Sequence, residues 1–326
     1  MTLQRTIISF AVLFFLLVNF SKAQSVEEAV EAYNQGVEYA NNGSLQEAME
    51  SFLQCVEICD MIGDEESDAT KKNATDLIPS IQFKIATGYL RDSDFENGIP
   101  EFKKTIEIAK QYNDEATLTK ANEQLPKVYY AYAGDLLRNG NMEEALGNYD
   151  KVIELEPDYA KAFLAKAKIY YKQEDAENLK ISLLNAIKAA QNSNDRSSET
   201  KAVSQGSSYF LKKAVDALGA NSTSDAEANA KISLEFDQSQ PEAYFILTQA
   251  YNKQSKWDDA ISAGKKVISM DGVKDDIKAG AYFQIASAYQ QKGENDSACE
   301  NYKNALVEPY TENAKYQMDH ILKCTN

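Results

Sequence analysis

The chain has 326 residues with a formal net charge of −16, from 34 lysines and arginines against 50 aspartates and glutamates. Nucleic acid and anionic lipid are poor general partners for so acidic a surface. The 14 glycines and 6 prolines are too few for a turn-rich β fold, and the single histidine, His320, excludes metal sites built from several histidines.

The first 23 residues have the pattern of a secretory signal peptide. Arg5 precedes an almost wholly apolar run at residues 6–20. Ser21 and Ala23 in Ser21-Lys22-Ala23 are small residues at the two positions that signal peptidase recognises. The alternative is an uncleaved anchor, but the run is shorter than the roughly 20 residues that span a bilayer. We therefore expect cleavage after Ala23 and an exported protein, periplasmic or secreted, with no membrane insertion after cleavage.

A helical hairpin is predicted most clearly between Tyr129 and Pro157. Residues three or four apart share one face of a helix, and each half of this segment carries such an apolar stripe. Asn139-Gly140-Asn141 supplies the turn, where glycine takes a positive φ at no steric cost. Pro157 ends the unit because proline cannot continue a helix. The stripes are Tyr129, Tyr132, Ala133 and Leu136, then Ala145, Tyr149 and Val152.

Seven copies of this pattern follow one another along the chain, and their spacings resemble the tetratricopeptide repeat. The resemblance implies an all-α superhelical solenoid of about seven helix-turn-helix repeats over residues 24–326, with a C-terminal capping helix. Aligned on a small residue of the first helix, the copies fall at Gly36, Ala86, Ala133, Ala167, Ala214, Thr248 and Ala286. The repeats lie near residues 29–60, 79–112, 126–159, 160–193, 207–240, 241–274 and 279–310.

Several intervals between copies exceed the 34 residues of the family unit, which indicates insertions. The polar stretches 61–76 and 191–206 are open to two interpretations, a hinge-like linker or an extension of a helix. The fifth copy is degenerate, because the polar turn that follows Ala214 carries no aromatic anchor.

The segment 311–324 is predicted to be the capping helix, since an array of hairpins needs a terminal element with a polar outer face. Its apolar stripe is Ala314, Met318, Ile321 and Leu322. Cys324 ends this helix, and Cys299 lies at nearly the same level on the antiparallel helix before it. We therefore predict a disulfide between Cys299 and Cys324.

Cys55 and Cys59 lie four residues apart in one predicted helix. Their Cβ atoms are then farther apart than an unstrained disulfide allows. Three interpretations remain open: small buried residues, a local disulfide at a frayed helix end, or a thiol–metal site.

The family resemblance also implies a binding surface, because the first helices of such hairpins line a concave groove. With Ala133 as the eighth residue of its unit, the fifth residues are Tyr33, Phe83, Tyr130, Leu164, Leu211, Phe245 and Phe283. The thirteenth residues form a basic edge at Arg91, Arg138, Lys172 and Lys253. An aromatic floor with a basic edge suits an extended peptide with acidic residues. A structural interpretation of the same residues is equally open. The fifth-position side chains would then pack against the neighbouring helix, and the basic residues would complement the negative C-terminal end of their own helix.

No motif of catalysis, cofactor binding or metal binding emerges. Asp92, Asp94 and Glu96 imitate a calcium loop, but its sixth and twelfth positions are Asn97 and Lys103. We expect a non-enzymatic protein-interaction scaffold of the cell envelope, without cofactor or metal. It resembles exported tetratricopeptide proteins of Gram-negative, Bacteroidetes-like bacteria. The alternative is an accessory or structural subunit of an outer-membrane or secretion assembly.

Overall fold

The protein is built from helices throughout residues 25–324, the part that the computed structural model describes. Those residues contain no strand, which confirms the predicted all-α class. The predicted signal peptide and its cleavage site lie outside the described residues. Among residues 25–324, no helix combines the length and the apolar character that a membrane span requires.

The chain divides into two compact units, and the first of them ends at Pro157. It consists of three helical hairpins in which α2 packs on α3, α3 on α4, α4 on α5 and α5 on α6. Its helices are α1 (25–42), α2 (Leu45–Ile62), α3 (Glu65–Arg91), α4 (Phe95–Gln111), α5 (Glu115–Arg138) and α6 (Met142–Leu155).

The second unit begins at Asp158 and contains four hairpins and the cap. The first helices of these hairpins contact one another in order, α7 with α9, α9 with α11 and α11 with α13, so they form one layer. The helices are α7 (Ala160–Lys172), α8 (Ala176–Asn192), α9 (Arg196–Gly219), α10 (Thr223–Phe236), α11 (Pro241–Lys253), α12 (Trp257–Ser269), α13 (Asp275–Lys292), α14 (Asn295–Asn304) and α15 (Thr311–Tyr316).

All seven hairpin turns share one backbone conformation. In each turn, the residue seven places after the aligned small residue has a positive φ. The next N–H donates to a carbonyl five residues earlier, the bond of a Schellman motif. The degenerate fifth copy keeps this turn, with Asn221 at φ 61°. Only three of these residues are glycine: the set is Gly43, Ser93, Gly140, Glu174, Asn221, Ser255 and Gly293.

The long intervals between repeats come from lengthened first helices. Helices α3, α5 and α9 have 27, 24 and 24 residues, whereas α7 and α11 have 13. The stretches 61–76 and 191–206 therefore belong mainly to helical extensions, and the linker interpretation is wrong. Buried Ser67, Ala74, Ser198 and Ala202 show that the extensions pack into the fold.

Proline marks where the extensions join the repeat unit. Pro241 occupies the first turn of α11, where a proline costs no hydrogen bond. Pro79 and Pro126 hold the same place in their repeats but lie inside α3 and α5. The repeat unit thus keeps its proline while the helix continues on its N-terminal side.

The capping element differs in detail from the prediction. Helix α15 continues as a π-helical segment, Gln317–Leu322, and Lys323 then takes a φ of 53°, so the helix stops before Cys324. Ala314 is buried, and Met318 and Leu322 pack on the last hairpin. Ile321 is 50% exposed, so its place in the predicted apolar stripe is wrong. The wider π turn changes the angular spacing between residues and turns Ile321 outward.

Cys299 and Cys324 are joined in the structure, with Cα atoms 5.8 Å apart, a separation common in disulfides. Cys55 and Cys59 are free and buried in the core of the first hairpin. This agrees with the interpretation of small buried residues. Burial raises the pKa of the Cys55 thiol to about 12, and the neighbouring Cys59 contributes to the same shift.

Candidate functional site

The fifth-position aromatic rings lie partly inside their own hairpins. Four of them contact a ring on the second helix of the same repeat, at centroid distances between 5.3 and 5.9 Å. These rings therefore fill the space between two helices and expose only part of their surface. The pairs are Tyr33–Phe52, Phe83–Phe102, Tyr130–Tyr149 and Phe283–Tyr302.

Burial of the tyrosine side chains in these ring pairs favours the neutral form of each phenol. It raises the pKa of Tyr130, and it raises those of Tyr149 and Tyr302 to about 12. The Tyr302 hydroxyl donates to Gln290 Oε1 at 2.8 Å, so its polar end is satisfied. These tyrosines act as packing residues with one hydrogen-bonding tip.

The remaining fifth-position residues have other surroundings. Leu164 is only 9% exposed, and Leu211 packs on the core of the fifth hairpin. Phe245 lacks a ring partner on its second helix, where Gly264 takes the equivalent position. Its Cζ lies 2.8 Å from the point that a Cβ at Gly280 would occupy, beside the hydroxyl of Tyr310.

Tyr310 is a contact that the sequence did not indicate. Its ring lies 5.6 Å from that of Phe283, and Gly280 leaves the space that it fills. The loop before α15 thus covers part of the predicted aromatic floor in the last two repeats. No periodic signal marks Tyr310, because it belongs to a turn.

The predicted basic edge is exposed, and each of its residues lies in the last turn of a first helix. Arg138 bonds Asp135 Oδ1 at 2.9 Å, and Lys253 Nζ donates to Asn221 Oδ1 at 2.9 Å. Arg91 and Lys172 make no such contact within residues 25–324. All four also complement the negative C-terminal end of their helix.

The second unit contains an open cleft of about 650 Å³ between the ends of α9, α11 and α13. Its walls are mainly uncharged: amides and a hydroxyl, with Trp257 at one side and Lys253 as the charged residue. An amide both donates and accepts hydrogen bonds, as a peptide main chain does. The polar uncharged lining residues are Gln249, Asn252, Gln284, Ser287 and Gln291.

Asn252 is the best-positioned of these side chains. Its Nδ2 donates to the main-chain oxygen and to Oε1 of Gln284, each at 2.9 Å, which holds the side chain in place. Its Oδ1 is buried and accepts no hydrogen bond. Leaving a buried acceptor without a hydrogen bond costs about 1–3 kcal/mol. None of these amides belongs to the predicted groove residues, which are the apolar fifth and the basic thirteenth residues of the repeats.

The acidic residues of the calcium-like stretch have a structural role. Asp94 caps α4, where its Oδ1 accepts from the Asn97 N–H at 3.2 Å. Across residues 25–324 no group of three or more metal-ligating side chains is found.

Comparison with known families matches three segments of the chain. A model described as "TPR repeat" matches residues 135–174, and one described as "Tetratricopeptide repeat" matches residues 32–60 and 279–306. These segments correspond to α1–α2, to the end of α5 with α6 and α7, and to α13–α14. The comparison with curated proteins found no match.

Several solved structures are similar to this chain. YrrB, described as a TPR protein with an unusual peptide-binding site, is 21% identical with a TM-score of 0.31, over 63% of this chain and 94% of its own. A tetratricopeptide repeat protein from Parabacteroides merdae is 15% identical with a TM-score of 0.30, over 92% and 98%. Values this low do not carry function between proteins. By its matched segments and its hairpins, the chain is an all-α protein that contains tetratricopeptide repeats.

Proposed function

We propose that the protein is a non-enzymatic scaffold that binds an extended segment of another protein along its first helices. The observation that carries this proposal is the amide-lined cleft between α9, α11 and α13, with the unpaired Oδ1 of Asn252. An extended peptide alternates N–H and C=O groups, and amides on neighbouring helices can pair with both. Tetratricopeptide repeats at three places agree with an interaction protein.

Phage display on the mature chain, with a library of random linear peptides, tests this proposal. Selected peptides are measured by fluorescence anisotropy against Gln249→Ala plus Gln291→Ala, two side chains that make no hydrogen bond in the described structure. The control is Asn229→Ala on α10, whose amide bonds only its own helix.

We expect the cleft variant to lose affinity for the selected peptides and the control to keep it, with circular dichroism unchanged. Each lost hydrogen bond weakens binding by about 1 kcal/mol, or roughly fivefold. A library that yields no binder, or binders indifferent to both variants, contradicts the proposal.

We also propose that the protein acts in the cell envelope. The signal-peptide pattern at residues 1–23 supports export, and so does the pairing of Cys299 with Cys324, since disulfides persist mainly outside the cytoplasm. Non-reducing peptide mapping of protein purified from its envelope fraction checks both points. An intact N-terminus together with free thiols at Cys299 and Cys324 contradicts them.

The alternative function, a subunit held in an assembly by its second helices, draws less support. The exposed apolar side chains on those helices include Leu53 on α2 and Ile181 on α8, which lie in different units. Single exposed apolar residues are normal on a protein surface and do not mark an interface.

A further inference from the structure

Helix α7 is basic in a chain that is otherwise strongly acidic. It carries four lysines and no carboxylate, whereas the whole chain has a net charge of −16. Three of these lysines, Lys161, Lys168 and Lys172, are spaced by seven and four residues and so share one face. All three are exposed. Within residues 25–324, no salt bridge involves Lys168 or Lys172.

Two tyrosines join this basic face to the next first helix. Tyr171 on α7 is 59% exposed, and its ring contacts that of Tyr209 on α9 at 5.6 Å. Lys213 Nζ lies 5.7 Å from the Tyr209 centroid, so a further cation reaches the same ring. We call Lys168, Tyr171, Lys172, Tyr209 and Lys213 the lysine–tyrosine patch.

An exposed tyrosine between unpaired lysines has the composition of a binding surface. Tyrosine supplies a large, rigid contact area at a low entropy cost, and it is enriched at interfaces. Lysines around it attract carboxylates and raise the association rate. In this acidic chain, the patch attracts an acidic partner that most of the surface repels.

We propose that the lysine–tyrosine patch binds an acidic segment of a partner protein that also presents an apolar or aromatic side chain. This rests on the proposed scaffold function and adds the chemistry of the partner. The carboxylates pair with Lys168 and Lys172, and the apolar side chain packs on Tyr171. A second copy of the chain is disfavoured as the occupant, because two molecules of charge −16 repel each other.

Three fluorescein-labelled peptides of equal length serve as probes. The first contains glutamate with tyrosine and leucine, the second replaces each glutamate by glutamine, and the third replaces tyrosine and leucine by serine. Fluorescence anisotropy with the mature chain measures each affinity at low and high salt. We expect the first probe to bind about tenfold more tightly than the others, and its affinity to fall at high salt.

Charge-reversal variants identify which lysines bind the first probe. The variant Lys168→Glu plus Lys172→Glu is compared with Lys188→Glu plus Lys266→Glu, which makes the same charge change at exposed positions on α8 and α12. We expect about a tenfold loss of affinity for the first probe in the patch variant and less than a twofold loss in the control. Tyr171→Ser weakens the same probe and leaves the thermal midpoint unchanged.

Equal losses in the two charge variants overturn the proposal, because they indicate a general charge effect. Retained binding in the patch variant with loss in Gln249→Ala plus Gln291→Ala overturns the patch but leaves the proposed groove function standing. Indifference to all these variants overturns both. A dimer in sedimentation velocity that the patch variant abolishes makes a second copy the occupant and also overturns the proposal.

Discussion

Gly206 is a position where alanine should reverse its usual effect in a helix. It lies inside α9, where replacing glycine by alanine normally gains about 1 kcal/mol. A Cβ at Gly206, however, would lie 2.5 Å from Cδ1 of Phe236. That ring is 7% exposed and stacks on Phe210 at 6.0 Å, so it has little room to move. Overpacking costs about 1–3 kcal/mol, so after the helix-propensity gain is subtracted we expect Gly206→Ala to destabilise the protein by up to about 2 kcal/mol.

Gly147 is the matched control, because it lies inside α6 and a Cβ there would meet nothing within 4 Å. Gly147→Ala should stabilise the protein by about 0.5–1 kcal/mol. Urea denaturation of the mature chain, followed by circular dichroism at 222 nm, gives both values. Adding Phe236→Leu to Gly206→Ala should recover part of the loss. The reasoning is refuted if Gly206→Ala raises the midpoint as Gly147→Ala does.

Three further results are expected. The hydrogen bond from Lys231 lowers the pKa of Glu227 to about 2, so ionised Glu227 stabilises the fold above about pH 4.5 and this contribution fades towards pH 2. Glu227→Gln should therefore cost stability in urea titrations at pH 7 and little at pH 2. Glu174→Gly should raise the thermal midpoint, since Glu174 has a φ of 58°. Cys55 and Cys59 should resist iodoacetamide at pH 8 until urea unfolds the chain, because burial raises both pKa values.

Each of these results has a counterpart that would contradict it. If Glu227→Gln lowers the free energy of unfolding equally at both pH values, the ion pair between Glu227 and Lys231 is not the cause. A lower midpoint for Glu174→Gly would mean that the turn does not strain its residue. Rapid alkylation of the native thiols would show that the first hairpin opens readily.

The hairpins could be predicted from sequence because their signal is local. Apolar residues three or four apart define a helix face without reference to any distant contact. The turns were recognised mainly through glycine, and this signal misses Glu174 and Ser255. Their positive φ is imposed by the hydrogen bonds that end the preceding helix, whichever residue stands there. The polar stretch 61–76 was ambiguous because only packing of Ser67 and Ala74 distinguishes an extension from a linker.

The binding residues were harder to predict than the fold. The sequence shows that Tyr130 and Phe283 are aromatic, but it does not show what their rings contact. In the structure they contact Tyr149 and Tyr302 of their own hairpins, not an open groove. The amides of the cleft lie at helical spacings, Gln249 and Asn252 on α11 and Gln284 and Gln291 on α13, but Asn252 meets Gln284 only when these two first helices pack together. A search of all seven repeats for amides at positions six, nine, twelve and thirteen would have found them.

The sequence by itself determined the all-α class, the helical hairpins and the number of repeats, because each depends on contacts between residues close in the chain. Only the tertiary structure decided which rings are covered, which amides meet, and how Tyr171 joins Tyr209 beside exposed lysines. Those arrangements depend on side chains about 20 to 40 residues apart that touch only after the helices have packed. Periodicity places a residue on a face, and packing decides what that face contacts.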